Sequence, residues 1–337
     1  MAIGFGVIGT GLWGEYHALT YSTYPGAELA AVCDVDPKRA ALVAERFGAR
    51  RFYTDYHELL ADRSVKAVSV ATPDFLHTEV GVAAAQAGKH ILMEKPLALT
   101  VEDCQAVIDA AAQAGVKLMV DFHNRWSPPL NTLKHRLSLG ELGEPLLVNA
   151  RQNNTIFVPT EMLRWAGRSA TIWFTGSHLI DVVCWLVNSP VRRVYSVSRS
   201  RVLAARGIPT PDFFETTLEF ANGAVAFVEN CWVLPNTEPS VVDFKLRLVG
   251  TQGSATVDTT HNRTLELYTD RVAFPDVLGL PTVFGTPRGF AVESIKYFAE
   301  CVIRNTEPMI TGQDGLANTA IICAALHSAE TGLPVEL

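Results

Sequence analysis

Three groups of residues in the 337-residue chain have types and spacings that could do chemistry. The first is Gly9-Thr10-Gly11-Leu12-Trp13-Gly14, a G-x-G-x-x-G that follows the apolar run Ile3 to Ile8. In such a turn the first glycine permits a tight bend and the second lets the backbone approach a pyrophosphate. The third lets the next helix pack near the strand, with its N-terminus facing the phosphates. The motif alone is weak, but Asp34 lies twenty residues beyond Gly14, after a second strand-like run, Glu28 to Cys33. A carboxylate there accepts hydrogen bonds from the adenosine ribose and repels a phosphate, which favours NAD over NADP. Lys38 and Arg39 are close enough in sequence to soften that preference. The competing reading is a glycine-rich turn beside a surface acid.

The second group is Glu94-Lys95-Pro96, directly after the strand-like run His90 to Met93. By composition Lys95 is a solvated lysine. Its place at the end of a strand that should face a nicotinamide changes that reading. An ammonium there can stabilise a developing alkoxide, and burial would lower its pKa toward proton shuttling. The third group is His178 and Asp181, which share a helix face at i and i+3. An imidazole in a cleft suits acid/base work; spacing alone equally allows a core histidine with a capping partner.

These groups must be positioned by regular elements. To about residue 123 the chain alternates strand and helix: strand Leu29–Cys33, helix Lys38–Phe47, short helix Asp55–Leu60, strand Ala67–Ala71, helix Leu76–Ala87, strand His90–Met93, a helix capped by Thr100, and strand Val116–Val120. That alternation argues for a doubly wound parallel sheet with ligands beyond the strands' carboxyl ends. Asp34, the Thr72-Pro73-Asp74 loop, Glu94-Lys95 and residues 121–125 all fall at such ends. Then the pattern changes. Helices over Pro128–Leu139 and within Ile172–Val187 flank a strand at Leu146–Thr155. Strand-like runs follow at Val191–Ser198, Phe214–Phe220, Ala224–Trp232, Val242–Val249, Ser254–Asp258 and Thr264–Tyr268, and helices at Gly289–Arg304 and Asp314–Thr331 close the chain. Asn222-Gly223 between two such runs is a hairpin signal. The fold class is therefore α/β, with an N-terminal parallel sheet and a C-terminal domain on a large, mostly antiparallel open sheet. The expected domains are 1–123, binding the dinucleotide, and 124–337, binding substrate and subunits, with the last helix able to pack back on the first.

Composition excludes several classes. The net charge of −7 comes without a basic run, which argues against nucleic acid. No apolar stretch approaches the ~20 residues of a membrane span. The six cysteines show no C-x-x-C pair, and no histidine or acid spacing matches a zinc signature. Reduced thiols in a cytoplasmic protein without a bound metal are expected.

The chain resembles the Gfo/Idh/MocA family of nicotinamide-dependent sugar and polyol oxidoreductases. The stretches that carry the resemblance are V-I-G-T-G-L-W-G, V-C-D-V-D, A-T-P-D-F-L-H, A-G-K-H-I-L-M-E-K-P-L-A, N-R-W-S-P and G-S-H-L-I-D, the fourth being the most specific. The resemblance implies a Rossmann domain, an open-sheet α/β domain, and assembly into a homodimer or homotetramer through that sheet. It implies catalytic roles for Lys95 and His178. It places Gly9 to Gly14, Asp34, Thr72, Pro73, His77, Glu94 and Lys95 against NAD, and makes Lys95–Pro96 a candidate cis peptide. A sugar or polyol is the implied substrate. Around it Trp126, Trp165 and Trp173 offer indole faces, while Arg125, Asn153 and Arg164 can read hydroxyls or a carboxylate, together with Lys95, His178 and Asp181. Trp13 and Tyr16 are expected to cover the cofactor. One departure stands out: many members carry an Asp four residues before the histidine, where this chain has Phe174. It keeps two other readings open, an NAD-dependent glycoside hydrolase that oxidises its sugar transiently and a nucleotide-binding sensor without activity.

Overall fold

The computed structural model describes residues 2–261, 264–270 and 272–337. The chain divides into two compact units, Met1–His123 with Val283–Thr319 and Asn124–Thr282 with Ala320–Leu337.

The first unit is built on a six-stranded sheet in the order β3-β2-β1-β4-β5-β6. Its strands are β1 (Ile3–Ile8), β2 (Ala27–Cys33), β3 (Arg51–Tyr53), β4 (Val65–Val70), β5 (His90–Met93) and β6 (Leu118–Val120). Every pairing in it is parallel. Such strands are covered on both faces and read as unbroken apolar runs; Phe5, Val7, Val32, Val68, Ile91 and Leu92 are all buried. The covering helices are α1 (Leu12–Thr23), α2 (Pro37–Phe47), α3 (Tyr56–Ala61), α4 (His77–Gln86) and α5 (Val101–Ala114). The strand order reverses at β1/β4, the switch point where such sheets bind ligands. Edge strand β3 escaped the sequence reading because three residues are too short to show a period. Residues 283–319 belong here because α8 (Phe290–Arg304) packs on the same core. Phe298 meets Phe5 edge-on at 6.4 Å, and Ile303 lies against Gly26.

The second unit carries α6 (Pro128–Ser138), β7 (Pro145–Asn154), α7 (Ser177–Val187), β8 (Val191–Arg199), β9 (Phe213–Phe220), β10 (Val225–Cys231), β11 (Val242–Gly250) and β12 (Ser254–Asp258). In chain order there follow short strands β13 (Leu267–Tyr268), β14 (Val272–Ala273), β15 (Thr282–Val283) and β16 (Thr286–Pro287), then α8, α9 (Gly312–Thr331) and β17 (Val335–Glu336), of which residues 283–319 belong to the first unit. Its sheet runs β12-β11-β7-β10-β9-β8-β17, antiparallel except where β10 joins β7. One face is buried and the other is not, so β9 alternates buried and part-buried residues along its length. The strand expected over Thr264–Tyr268 is only the two residues of β13.

One buried carboxylate ties this unit's loops to its core. Asp212 accepts hydrogen bonds from the backbone amides of Arg201, Val202 and Leu203, each at 2.8 Å. That fixes Leu203 in a cluster with Val158, Ala166 and Trp232, against which Phe174 packs. Asp212→Ala leaves three amides without their acceptor and should lower unfolding free energy by about 3 kcal/mol. Urea denaturation measures it, and a loss below about 1 kcal/mol would show that the loop is held by other means.

Candidate active site

The nucleotide side begins at the β1–α1 turn. Gly9 has φ +90°, and a Cβ on Gly14 would stand 1.9 Å from the Gly9 carbonyl oxygen, so both positions exclude a side chain. A Cβ on Gly11 would meet nothing within 4 Å, so the backbone there faces open space. Asp36, Asp55 and Thr100 cap α2, α3 and α5 with their side chains. Helix α1 begins at Gly11 with no side-chain cap, leaving its first amides available to an anion. At the end of β2, Asp34 Oδ2 accepts from both the amide and the hydroxyl of Thr10, at 2.9 and 2.8 Å, and Oδ1 accepts from the Asp36 amide at 3.0 Å. The carboxylate is thus pinned to the glycine turn, with acceptor capacity left for a ribose hydroxyl. This cradle fits a dinucleotide. Trp13 is half-buried and packs on Tyr16 and on the His123 ring, with centroids at 5.6 and 5.0 Å.

Lys95 follows β5, and its peptide bond to Pro96 is cis. The residue is only 8% exposed. Burial lowers the pKa of its ammonium below the ordinary lysine value, against the opposing pull of Glu94, Asp74 and Asp121. His77 sits between two carbonyls, with Nδ1 2.6 Å from Pro96 O and Nε2 3.0 Å from Thr72 O. Both partners are acceptors, so the tautomer decides which of them receives the ring N–H, and His77 links the loops that follow β4 and β5. Thr72 and Pro73 are part-buried in the first of those loops.

In the second unit, a π-helical turn over Ile172–Gly176 runs directly into α7. Local chemistry favours it: Thr175 Oγ donates to Thr171 O at 3.0 Å and Ser177 Oγ to Trp173 O at 2.7 Å. His178 and Asp181 are both buried on α7. Asp181 receives a bidentate pair from Arg125, Nε to Oδ2 at 2.9 Å and a terminal nitrogen to Oδ1 at 2.5 Å. These two expected substrate residues thus hold each other, and the pair fixes the helix that carries His178. Phe174 lies in the π turn against Trp165 and Trp232, at 6.4 and 5.8 Å; an apolar cluster occupies the place where relatives were expected to have a carboxylate.

The remaining expected residues scatter. Asn153 donates to Glu229 Oε1 at 2.5 Å, on the sheet face opposite Gln152 and Asn230. Gln152 and Asn230 lie on the face that packs on α7, where the Asn230 amide donates to Gln152 O and Thr175 Oγ at 3.2 and 3.4 Å. Arg164 is exposed, Trp126 and Trp165 are half-buried, and Trp173 is buried.

Sequence reasoning missed the buried His17, and it placed Asp121 and His123 at a strand end without giving either a role; both are buried. His17 lies four residues from Trp13 and from Tyr21 on α1, so a polar residue on the buried stripe was the available signal. Burial pushes the His123 imidazole down to about 4, so at neutral pH it is an uncharged ring, tilted by 30° against Trp13.

Comparison with known proteins agrees with this geometry. Residues 3–122 match the oxidoreductase family with an NAD-binding Rossmann fold, and residues 130–256 match the Gfo/Idh/MocA C-terminal domain. The chain is 32% identical to inositol 2-dehydrogenase 2 of Saccharopolyspora erythraea, over 100% of this chain and 96% of that protein. It is 29% identical to scyllo-inositol 2-dehydrogenase (NAD(+)) of Bacillus subtilis, over 98% and 95% respectively. Scyllo-inositol dehydrogenase of Lactobacillus casei, solved with NAD(H) and scyllo-inositol, shares the fold at a TM-score of 0.86 and 18% identity, covering 100% of this chain and 99% of that one. A glycine cradle at an uncapped helix, a pinned Asp34 and matches along both units lead to one conclusion: the chain belongs to the Gfo/Idh/MocA family of NAD-binding oxidoreductases.

Proposed function

We propose that this NAD-dependent oxidoreductase oxidises a secondary alcohol of a cyclic polyol of the inositol type, or a sugar derivative of similar shape, with Lys95 and His178 handling the proton. The observation that carries the reading is the buried Lys95 ammonium at the carboxyl end of β5, in the unit that holds the dinucleotide cradle. The inositol dehydrogenases among the relatives support the polyol. NAD, when bound, supplies the acceptor for the hydride that leaves the carbinol carbon. Lys95 donates a hydrogen bond to the carbinol oxygen and stabilises its growing negative charge, a contribution that strengthens as water is excluded. The His178 imidazole takes the hydroxyl proton. The Arg125–Asp181 pair orients α7 and with it His178. Trp165 and Trp126 are proposed to pack on ring C–H faces, and Gly9 to Gly14, Asp34, Thr72 and Pro73 to hold the cofactor.

The proposed subunit contact is the open sheet face. Pairing places Tyr195, Thr217 and Phe227 in one row across β8, β9 and β10. Tyr195 and Phe227 are 42% and 40% exposed, an apolar row suited to a second copy. The six free cysteines suit a reducing cytoplasm. Among the described residues, no helix is long and apolar enough to cross a membrane.

Three outcomes test this reading. Lys95→Met should cut kcat with NAD and an inositol by about a hundredfold or more while NAD affinity changes less than threefold; NADH absorbance and fluorescence titration read the two, and retained turnover refutes the role of Lys95. NAD should bind about tenfold or more tighter than NADP because Asp34 repels the 2′-phosphate; equal or tighter NADP binding in calorimetry contradicts that assignment. Phe227→Glu should lower the particle mass seen by light scattering, and an unchanged mass places the contact elsewhere.

A further inference from the structure

A buried cluster at the ends of β5 and β6 is left unused by the proton path just given. The two strands pair in parallel with Met93 beside Val120, so the next residues, Glu94 and Asp121, come side by side, and the Asp121 amide donates to Met93 O at 2.8 Å. The two carboxyls are 6% and 0% exposed. His17 of α1 reaches them with Nε2, 3.0 Å from Glu94 Oε1 and 4.0 Å from Asp121 Oδ2. Its Nδ1 lies 2.8 Å from Ser69 Oγ in β4, and that hydroxyl lies 2.6 Å from the Tyr21 hydroxyl. Assigning each hydrogen once gives a consistent chain. Tyr21, whose phenol burial pushes up, donates to Ser69; Ser69 donates to His17 Nδ1; and His17 Nε2–H donates to Glu94. Asp121 is placed differently: neither of its oxygens meets a donor at good hydrogen-bond geometry among the described residues, and its neighbours are Glu94 itself and the Ser294 hydroxyl of α8, which also donates to Ala291 O at 3.1 Å.

Two adjacent carboxyls in a dry site do not both ionise. Their surroundings decide which keeps the proton. Glu94 has the His17 donor at 3.0 Å and feels the charge of Lys95, whereas His17 stands 4.0 Å from Asp121, so a charged Asp121 would be a fully buried anion with weaker support. We propose that His17 is a positioning residue for the reaction: it holds Glu94 as the charged member of the pair, leaves the shared proton on Asp121, and so keeps one negative charge beside Lys95 that sets the protonation of that lysine. Burial raises both carboxyls, but His17 and the nearby charges bring Glu94 down to about 2 while Asp121 stays well above the usual range. Around Lys95 the groups that matter are Glu94, Asp121 and Asp74, with His17, Tyr21 and His123 behind them. One atom from each of His17, Glu94 and Asp121 lies within 4.8 Å of the others, a spacing that also admits a cation. Both ring nitrogens of His17 are already committed, and the Lys95 ammonium adds like charge, so proton sharing is favoured.

This inference rests on the assignment of Lys95 as the group that hydrogen-bonds the carbinol oxygen. The test compares pH profiles of kcat for holoenzyme variants at saturating NAD and inositol. A carboxylate beside Lys95 favours its charged form, so removing that charge lowers the lysine pKa and brings the basic limb of the profile to lower pH. Glu94→Gln and His17→Ala should move that limb down by about 1–3 pH units. Asp121→Asn, which mimics the protonated acid, should move it far less, and His17→Gln, which restores an amide donor, should recover part of the His17→Ala shift. A limb unmoved in Glu94→Gln, or moved equally in Asp121→Asn, overturns the proposal. Infrared spectra of the resting protein read the pair without turnover: the C=O stretch of a protonated carboxyl should be present in the wild type and absent in Asp121→Asn. Its absence in the wild type, or a divalent ion retained stoichiometrically through dialysis and lost in His17→Ala, also overturns it. Full turnover by Lys95→Met with the infrared result intact would instead remove the catalytic assignment on which the inference rests.

Discussion

A positive charge taken out of water must be balanced locally, and the ammonium of Lys95 is such a charge. Left in an apolar interior it would lose its proton or push the strand end open. Acids supply the balance from Asp74 after β4 and from Glu94 before the lysine itself, with the carboxyl of Asp121 after β6 close by. A third anion there would be too much negative charge; in the proposed arrangement the proton on Asp121 removes it, and the His17 ring holds Glu94 as the charged member of the pair. His77 completes the arrangement mechanically, with one ring nitrogen near the carbonyl of Pro96, the residue after the lysine, and the other near that of Thr72 after β4.

The parallel sheet makes this economical. Each strand of a doubly wound sheet ends at the same rim, so residues that follow β2, β4, β5 and β6 gather without long loops. The same rim carries the glycine turn, where the missing side chains at Gly9 and Gly14 let α1 start close to the strand and uncapped. Thr10 links the two functions of that turn, since its amide and hydroxyl fix the carboxylate of Asp34. In the second unit, side-chain hydroxyls of Thr175 and Ser177 back-bond to form the π turn that leads into α7. The Arg125–Asp181 pair then holds α7 from its other side. Phe174, with Trp165 and Trp232, makes this region apolar where the family resemblance implies a carboxylate in many relatives.

Much of the fold was legible in the sequence. The strand–helix alternation, the hairpin at Asn222-Gly223 and the caps at Asp36 and Thr100 each rest on local rules that the structure obeys. Elements of two or three residues, β3 and β17, were not legible because a period needs more residues than they have. At the site, motif spacing brought out the glycine turn, Asp34 and Lys95. It could not show that Arg125 and Asp181 pair with each other, nor that Asn153 lies on the opposite sheet face from Asn230, because partners and faces are decided by register. His17 was missed, and Asp121 was placed at the rim without a role, for the same reason: what makes them matter is a neighbour 77 residues away for one and a parallel strand pairing for the other.

The account depends most on the state of one side chain, and that state can be measured directly. Protein carrying ¹³C at the lysine ε-carbon, with NAD bound, would be titrated by NMR, the Lys95 signal being assigned by its loss in Lys95→Met. The account predicts a midpoint below the ordinary lysine value of 10.5, because burial outweighs the acids around it. A midpoint at or above that value would mean an ammonium that behaves as if solvated, and the buried, charge-balanced lysine on which the mechanism is built would not exist.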